Sequence, residues 1–79
     1  MSMWEAPATD WAAVTPSDTV DLAVPCRALY VGTGGDVVAV ARSGAAETFS
    51  NVQNGTKLYL AAKRVNATGT TASNIVALY

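Results

Sequence analysis

Residues that favour turns interrupt this chain about every ten positions from residue 19 onward, and the apolar runs between them span only five to eight residues. No run has the apolar spacing and capping residues of a sustained helix, and short runs of β-branched and aromatic residues between turns are typical of strands. The sequence therefore predicts an all-β fold, a small antiparallel β-sandwich or barrel of six or seven short strands. The predicted strands are 19–24, 27–31, 37–42, 47–52, 58–65 and 74–79.

The first of these runs has a clear period of two. Val20, Leu22 and Val24 alternate with small or polar residues, and Pro25 follows directly. This alternation predicts a half-buried strand whose apolar side chains share one face.

Three glycines, Gly32, Gly34 and Gly35, lie between two apolar runs and raise the question of a phosphate-binding loop. Their spacing does not match the Walker loop, which requires GxxxxGK followed by Ser or Thr. A dinucleotide-binding loop opens a helix, whereas Val37–Val40 are strand formers. The pattern therefore predicts a hairpin turn. Asn54–Gly55 is a second hairpin signal.

The residues needed for common catalytic and metal sites are missing. The chain has no histidine and one cysteine, Cys26, so an intramolecular disulfide is impossible and a zinc site of His and Cys is nearly so. Asp18 and Asp21 lie three apart on a predicted strand, on opposite faces, and cannot share a proton. Cys26 is predicted to be a small buried residue. We therefore predict no catalytic residue, no cofactor and no metal, and a protein that is not an enzyme.

The composition favours association with other proteins. Only 14% of the 79 residues are charged, whereas 51% are apolar, against about 25% charged residues in typical soluble domains. A core this small supplies about 3–5 kcal/mol, which favours a homo-oligomer. The net charge of −1 argues against nucleic acid, and the sequence shows neither a membrane helix nor a signal peptide. The unpaired cysteine is in keeping with a protein made and kept in a reducing cytosol.

The first 17 residues differ in composition from the rest of the chain. They contain Pro7 and Pro16 together with Trp4 and Trp11. We predict an extended N-terminal arm over 1–17 and a single β-sandwich domain over 18–79, with the two tryptophans as interface residues that dock on this domain or on a neighbour.

Two stretches resemble a known family of small virion proteins. They are VTPSDTVDL leading into RALYVGTGGDVVAV, and RVNATGTTASNIVALY at the C-terminal end; TFSNVQNGTKL in the centre also fits. The family comprises the head-spike base proteins of gene transfer agents and related tailed bacteriophages, and the resemblance covers about Val14 to Tyr79. It implies a non-enzymatic virion structural protein that is made in the host bacterial cytoplasm and decorates the capsid exterior.

The resemblance also implies partners. These are the major capsid protein, further copies of this chain in a trimer or pentamer, and a spike fibre protein standing on the base. A cement protein that clamps capsomers at three-fold positions is an alternative within the same class. A tail-tip structural component is another. A small carbohydrate- or ligand-binding β-module is the alternative from a different class, since tryptophans can stack on sugars.

Overall fold

The computed structural model describes residues 8–79, which form seven short antiparallel strands and no helix. The predicted all-β fold of six or seven strands is confirmed. No helix in this part of the chain is long and apolar enough to cross a membrane. The strands are β1 (Trp11–Ala13), β2 (Ala28–Thr33), β3 (Gly35–Ala41), β4 (Ala46–Val52), β5 (Thr56–Leu58), β6 (Ala62–Val65) and β7 (Ser73–Leu78).

The strands form two sheets. One has four strands in the order β1-β7-β2-β5, and the other has three in the order β4-β3-β6. Only β3 and β4 are neighbours both in sequence and in a sheet, within the described residues; the turn between them is closed by a bond from Ala41 N to Ala45 O of 2.8 Å. Every other strand pairs with one distant in sequence.

The core consists of small and β-branched residues contributed by both sheets. In β2 and β7 the buried residues alternate with more exposed ones along most of the strand, as expected for a sheet with one face in the core. The central members are Leu29, Val31, Ile75 and Ala77 from the four-stranded sheet and Val37, Ala39, Ala62 and Val65 from the three-stranded sheet.

The predicted strand 19–24 is wrong. The segment forms no strand, and only Leu22 packs against the core, whereas Val20 and Val24 are 68% and 55% exposed. The Ser17 hydroxyl accepts hydrogen bonds from the N–H groups of the residues at 19 and 20, at 3.2 and 3.1 Å. This local bonding bends the backbone away from an extended ladder.

The segment 17–26 instead lies along the outer edge of β6, held by three widely spaced backbone bonds. Ser17 N donates to Val65 O at 2.9 Å, and Leu22 N donates to Lys63 O at 2.7 Å. Cys26 N donates to Ala62 O at 3.1 Å. The chain covers an edge here without becoming a strand.

The predicted hairpin at Gly32–Gly35 is also wrong. β2 and β3 belong to different sheets, so the glycines form a corner at which the chain passes from one sheet to the other. The corner is tight: a Cβ atom on Gly34 would collide with the carbonyl oxygen of Val52 and lie 2.9 Å from Asn54 Oδ1.

The Asn54–Gly55 turn makes a second crossing beside the first. A bond from Thr56 N to Gln53 O of 3.3 Å closes the turn, and Gly55 has a φ of 75°. However, β4 and β5 lie in different sheets, so this turn is not a hairpin either.

Part of the predicted arm 1–17 belongs to the four-stranded sheet. β1 pairs with β7, with Trp11 opposite Leu78. Bonds from Thr9 N to Tyr79 O and from Tyr79 N to Asp10 O, at 2.9 and 2.8 Å, extend the contact toward residue 9. Trp4 lies outside the described residues, and the division at residue 17 stays a prediction.

Candidate interaction surface

The outer face of the four-stranded sheet carries two rows of apolar side chains. Residues directly opposite one another in antiparallel strands share a face, and the core-facing residues of β7 are Ile75 and Ala77. The outer rows follow from the strand register as Trp11, Leu78 and Ala28 in one, and Ala13, Val76, Tyr30 and Lys57 in the other. We call these seven residues the outer face.

Aromatic and aliphatic groups dominate the outer face. Trp11 is 64% exposed and Tyr30 is 37% exposed, while Val76 and Leu78 are half-buried between them. Lys57, on the edge strand β5, is the one charged residue of the seven. Ala28 is only 2% exposed, so the larger apolar groups form the exposed part of this face. An apolar face with exposed aromatic anchors is typical of protein interaction surfaces.

Trp11 is presented from a fixed backbone. Strand β1 pairs with β7, and the backbone N–H of Trp11 donates a hydrogen bond to Asp10 Oδ1 at 2.9 Å. The indole therefore projects from a sheet, so less conformational entropy is lost when a partner covers it.

Sequence reasoning named Trp11 but missed the residues around it. The signal was present, because the runs containing Tyr30, Val76 and Leu78 alternate with core residues and must place their other side chains on a second face. What the sequence did not show was that β1 and β7 are neighbours, which brings Trp11 onto that same face.

The glycine corner forms a shallow polar groove lined by Gly34, Gly35 and Asn51–Asn54. Its polar groups hold the two sheet crossings together. Gly34 N donates to Asn54 Oδ1 at 2.6 Å, and Asn51 N donates to Asp36 Oδ1 at 2.9 Å. The groove is therefore a structural junction.

Two acidic residues of the N-terminal third form polar contacts with other parts of the same chain. Asp18 accepts hydrogen bonds from Thr68, and Asp21 forms an ion pair with Arg64 at 3.2 Å. The two carboxylates have separate partners. Together the two contacts hold the 17–26 segment against β6 and the 66–72 loop.

Cys26 is buried, as predicted, with an exposed fraction of 2%. Burial raises the pKa of its thiol, which disfavours the reactive thiolate. No group of three or more His, Cys, Asp or Glu side chains within residues 8–79 is arranged to hold a metal ion.

This fold and its sequence match a chain of known structure. The chain is in the capsid of a native gene transfer agent (GTA) particle, computed with C5 symmetry; the TM-score is 0.87 and the sequences are 40% identical. The match covers 100% of this chain and 92% of that one. The protein belongs to the family of that GTA capsid chain.

Neither a protein-family model nor a curated protein matches the sequence. The resemblance to virion proteins of gene transfer agents is confirmed at the level of a capsid-particle protein. Its narrower form, a head-spike base, stays a prediction.

Proposed function

We propose that this protein is a non-enzymatic structural component that decorates the outside of a bacteriophage or gene transfer agent head, as capsid cement or as the base of a head spike. Its partners are the major capsid protein and further copies of itself. The observation that carries the proposal is the full-length match to a chain of a GTA capsid at 40% identity.

The outer face supplies the means of attachment. Trp11 and Tyr30 are exposed on one side of a hydrogen-bonded sheet, with Val76 and Leu78 between them. Buried tryptophan and tyrosine are the commonest strong anchors of protein interfaces, each worth about 2 kcal/mol or more when truncated. We assign this face to the contact with the capsid shell.

A carbohydrate-binding module is less well supported. Small-ligand sites combine apolar walls with a few convergent polar groups that fix the ligand's orientation. Four neighbours of Trp11 and Tyr30 on the outer face, Leu78, Val76, Ala13 and Ala28, offer no side-chain hydrogen bonds to sugar hydroxyls, so Lys57 opposite Tyr30 is the one neighbour of the five that could orient a sugar. A flat aliphatic surface with two aromatic anchors fits a protein partner better.

The test is binding of purified protein to heads assembled without it, followed by sedimentation and cryo-electron microscopy. We expect the wild type to co-sediment and to give extra density on the outer surface. Density at five-fold vertices would identify a spike base, and density at three-fold positions would identify cement. Density on the inner surface, or only at the tail tip, would contradict the proposal.

Variants locate the contact. Trp11→Ala combined with Tyr30→Ala should weaken binding to heads by more than tenfold. The matched control is Val20→Ser combined with Val24→Ser, which removes two exposed apolar side chains from the 17–26 segment. If the control weakens binding and the outer-face variant does not, the shell contacts the other side of the protein.

A further inference from the structure

Asn54 and Gly55 form the one Asn–Gly pair in the sequence, and both residues are exposed to water. In such a pair the backbone nitrogen of glycine attacks the side-chain carbonyl carbon of asparagine, ammonia leaves, and a cyclic succinimide forms. Water then opens the ring and gives either aspartate or isoaspartate. Glycine favours the attack because it has no Cβ atom in the way, and asparagine is one of the thermolabile residues of proteins.

The fold engages the attacking nitrogen. Gly55 N donates a hydrogen bond to Val31 O at 2.7 Å. Val31 lies opposite Thr56 in the pairing of β2 with β5, so this bond continues the ladder between the two strands. The glycine nitrogen must lose its proton to become a nucleophile, and the bond to Val31 holds that proton in place.

The fold also fixes the group that is attacked. Asn54 Oδ1 accepts a hydrogen bond from Gly34 N at 2.6 Å, which joins the two sheet crossings. The contact is closely packed, since a Cβ atom on Gly34 would lie 2.9 Å from the same oxygen. Rotation of the Asn54 amide toward the Gly55 nitrogen is therefore restricted as long as the glycine corner is intact.

We propose that Asn54 is a deamidation site that the native structure keeps closed, and that the modification proceeds from molecules in which the glycine corner has opened. Proteins open locally with free energies that differ from one region to another. The rate of modification at Asn54 therefore reports how often this corner opens. The inference is independent of the proposed function, because it concerns the chemistry of a single chain.

The two products have different consequences for the fold. Aspartate keeps an oxygen in the place of Oδ1, and its carboxylate accepts the bond from Gly34 N as a charge-assisted hydrogen bond. Isoaspartate routes the main chain through the side chain of residue 54 and so adds a methylene group before Gly55. The turn is closed by a bond from Thr56 N to Gln53 O of 3.3 Å, and a longer main chain disrupts it. The aspartate product should refold, whereas the isoaspartate product should not.

The first test compares native and unfolded wild-type protein, incubated at the same mildly alkaline pH without and with guanidinium chloride. Peptide mapping by mass spectrometry measures the conversion of amide to acid. We expect Asn54 to react at least tenfold more slowly in the native protein. The other asparagines precede residues bulkier than glycine and serve as internal controls that react slowly in both samples. Equal rates at Asn54 would refute the protection, and a faster native rate would show that Gly34 N activates the amide instead.

A variant of the corner gives a second readout. Gly34→Ala crowds Asn54 Oδ1, so it should raise the rate of deamidation in the native protein severalfold and leave the rate in guanidinium chloride unchanged. Val20→Ala, on the exposed part of the 17–26 segment, is the control and should change neither rate. A folded Gly34→Ala protein that deamidates at the wild-type rate would contradict the proposal.

The products give a third readout. Protein modified in denaturant is diluted to refold, and size-exclusion chromatography separates the compact from the unfolded fraction. Enzymatic methylation of isoaspartate should label the unfolded fraction at least fivefold more than the compact one. Asn54→Asp, which supplies the aspartate product directly, should fold with the circular dichroism spectrum of the wild type. Equal labelling of the two fractions, or an unfolded Asn54→Asp, would overturn the assignment of the two products.

Discussion

Thr68 donates two hydrogen bonds to the carboxylate of Asp18, from its hydroxyl at 2.6 Å and from its backbone N–H at 2.9 Å. The two residues are fifty positions apart in the sequence. The contact ties the 17–26 segment to the loop between β6 and β7. These two hydrogen bonds hold the pKa of the Asp18 carboxyl below its usual range.

This contact predicts an acid-dependent part of the stability. Because the folded state lowers the pKa of Asp18, its charged form stabilises the fold above the ordinary aspartate pKa of about 3.9. That stabilisation is lost as the pH falls through the folded-state pKa. Chemical denaturation of the wild type and of Asp18→Asn should therefore give a difference in unfolding free energy at pH 7 that shrinks below about pH 4. A difference that stays constant from pH 7 to pH 3 would show that the Asp18 charge plays no part.

Gly34→Ala should destabilise the protein by about 1–3 kcal/mol, the usual cost of overpacking. A Cβ atom at this position would collide with the carbonyl oxygen of Val52 and crowd the Asn54 side chain. Both are parts of the second sheet crossing, so the backbone has little room to move. Thermal or urea denaturation measures the loss.

The control for this prediction is Gly44→Asn, in the hairpin turn between β3 and β4. A Cβ atom on Gly44 would meet nothing within 4 Å, although its φ is 97°. Asparagine tolerates positive φ better than other residues, so this variant should lose less stability than Gly34→Ala. Equal losses would show that the crowding at Gly34 costs no more than the backbone strain at Gly44, and would contradict the prediction.

The sequence predicted the class of fold and most strand positions, but not how the strands pair. Alternation and turn residues are local signals. They identify β2, β3, β4 and β7 to within a few residues, yet Gly34 and Asn54–Gly55 look the same whether the flanking strands join one sheet or two. That choice depends on which faces pack together in the core. For the same reason, the outer face could not be assembled from the sequence around Trp11.

Val20 and Leu29 show that the hydrophobic pattern of the sequence does not determine the burial of a single residue. Both lie in short apolar runs, and the sequence predicted a strand for each run, with Val20 on its buried face. The structure buries Leu29 completely and leaves Val20 68% exposed. Local bonding to Ser17 decides the difference, and such bonding competes with strand formation without changing the hydrophobic pattern.

Alanine substitutions at these two positions should differ sharply. Leu29→Ala removes a fully buried side chain and should cost about 2–5 kcal/mol, enough to unfold much of a domain with a core this small. Val20→Ala should change the unfolding free energy by less than about 0.5 kcal/mol. Similar effects of both on urea denaturation would contradict the burial seen in the structure.

The thiol of Cys26 should react slowly in the native protein. Burial raises its pKa, and its Sγ lies 3.7 Å from the carbonyl oxygen of Leu60. Ellman's reagent at pH 8 should therefore react at least tenfold more slowly with the native protein than with protein unfolded in guanidinium chloride. Equal rates would show that the segment before β2 opens readily in solution.

The final prediction concerns Trp4, which sequence reasoning paired with Trp11 as an interface residue. If Trp4 is buried against the capsid shell or a neighbouring copy, Trp4→Ala should weaken binding to undecorated heads about thirtyfold, since a buried tryptophan anchor is worth about 2 kcal/mol and 1.4 kcal/mol is a factor of ten. Its unfolding free energy in isolation should stay the same. Glu5→Gln is the matched control, because it changes the residue next to Trp4 in the sequence and keeps both tryptophans. Wild-type binding by Trp4→Ala would restrict the interface to the outer face around Trp11, and a loss in Glu5→Gln alone would assign the effect to charge.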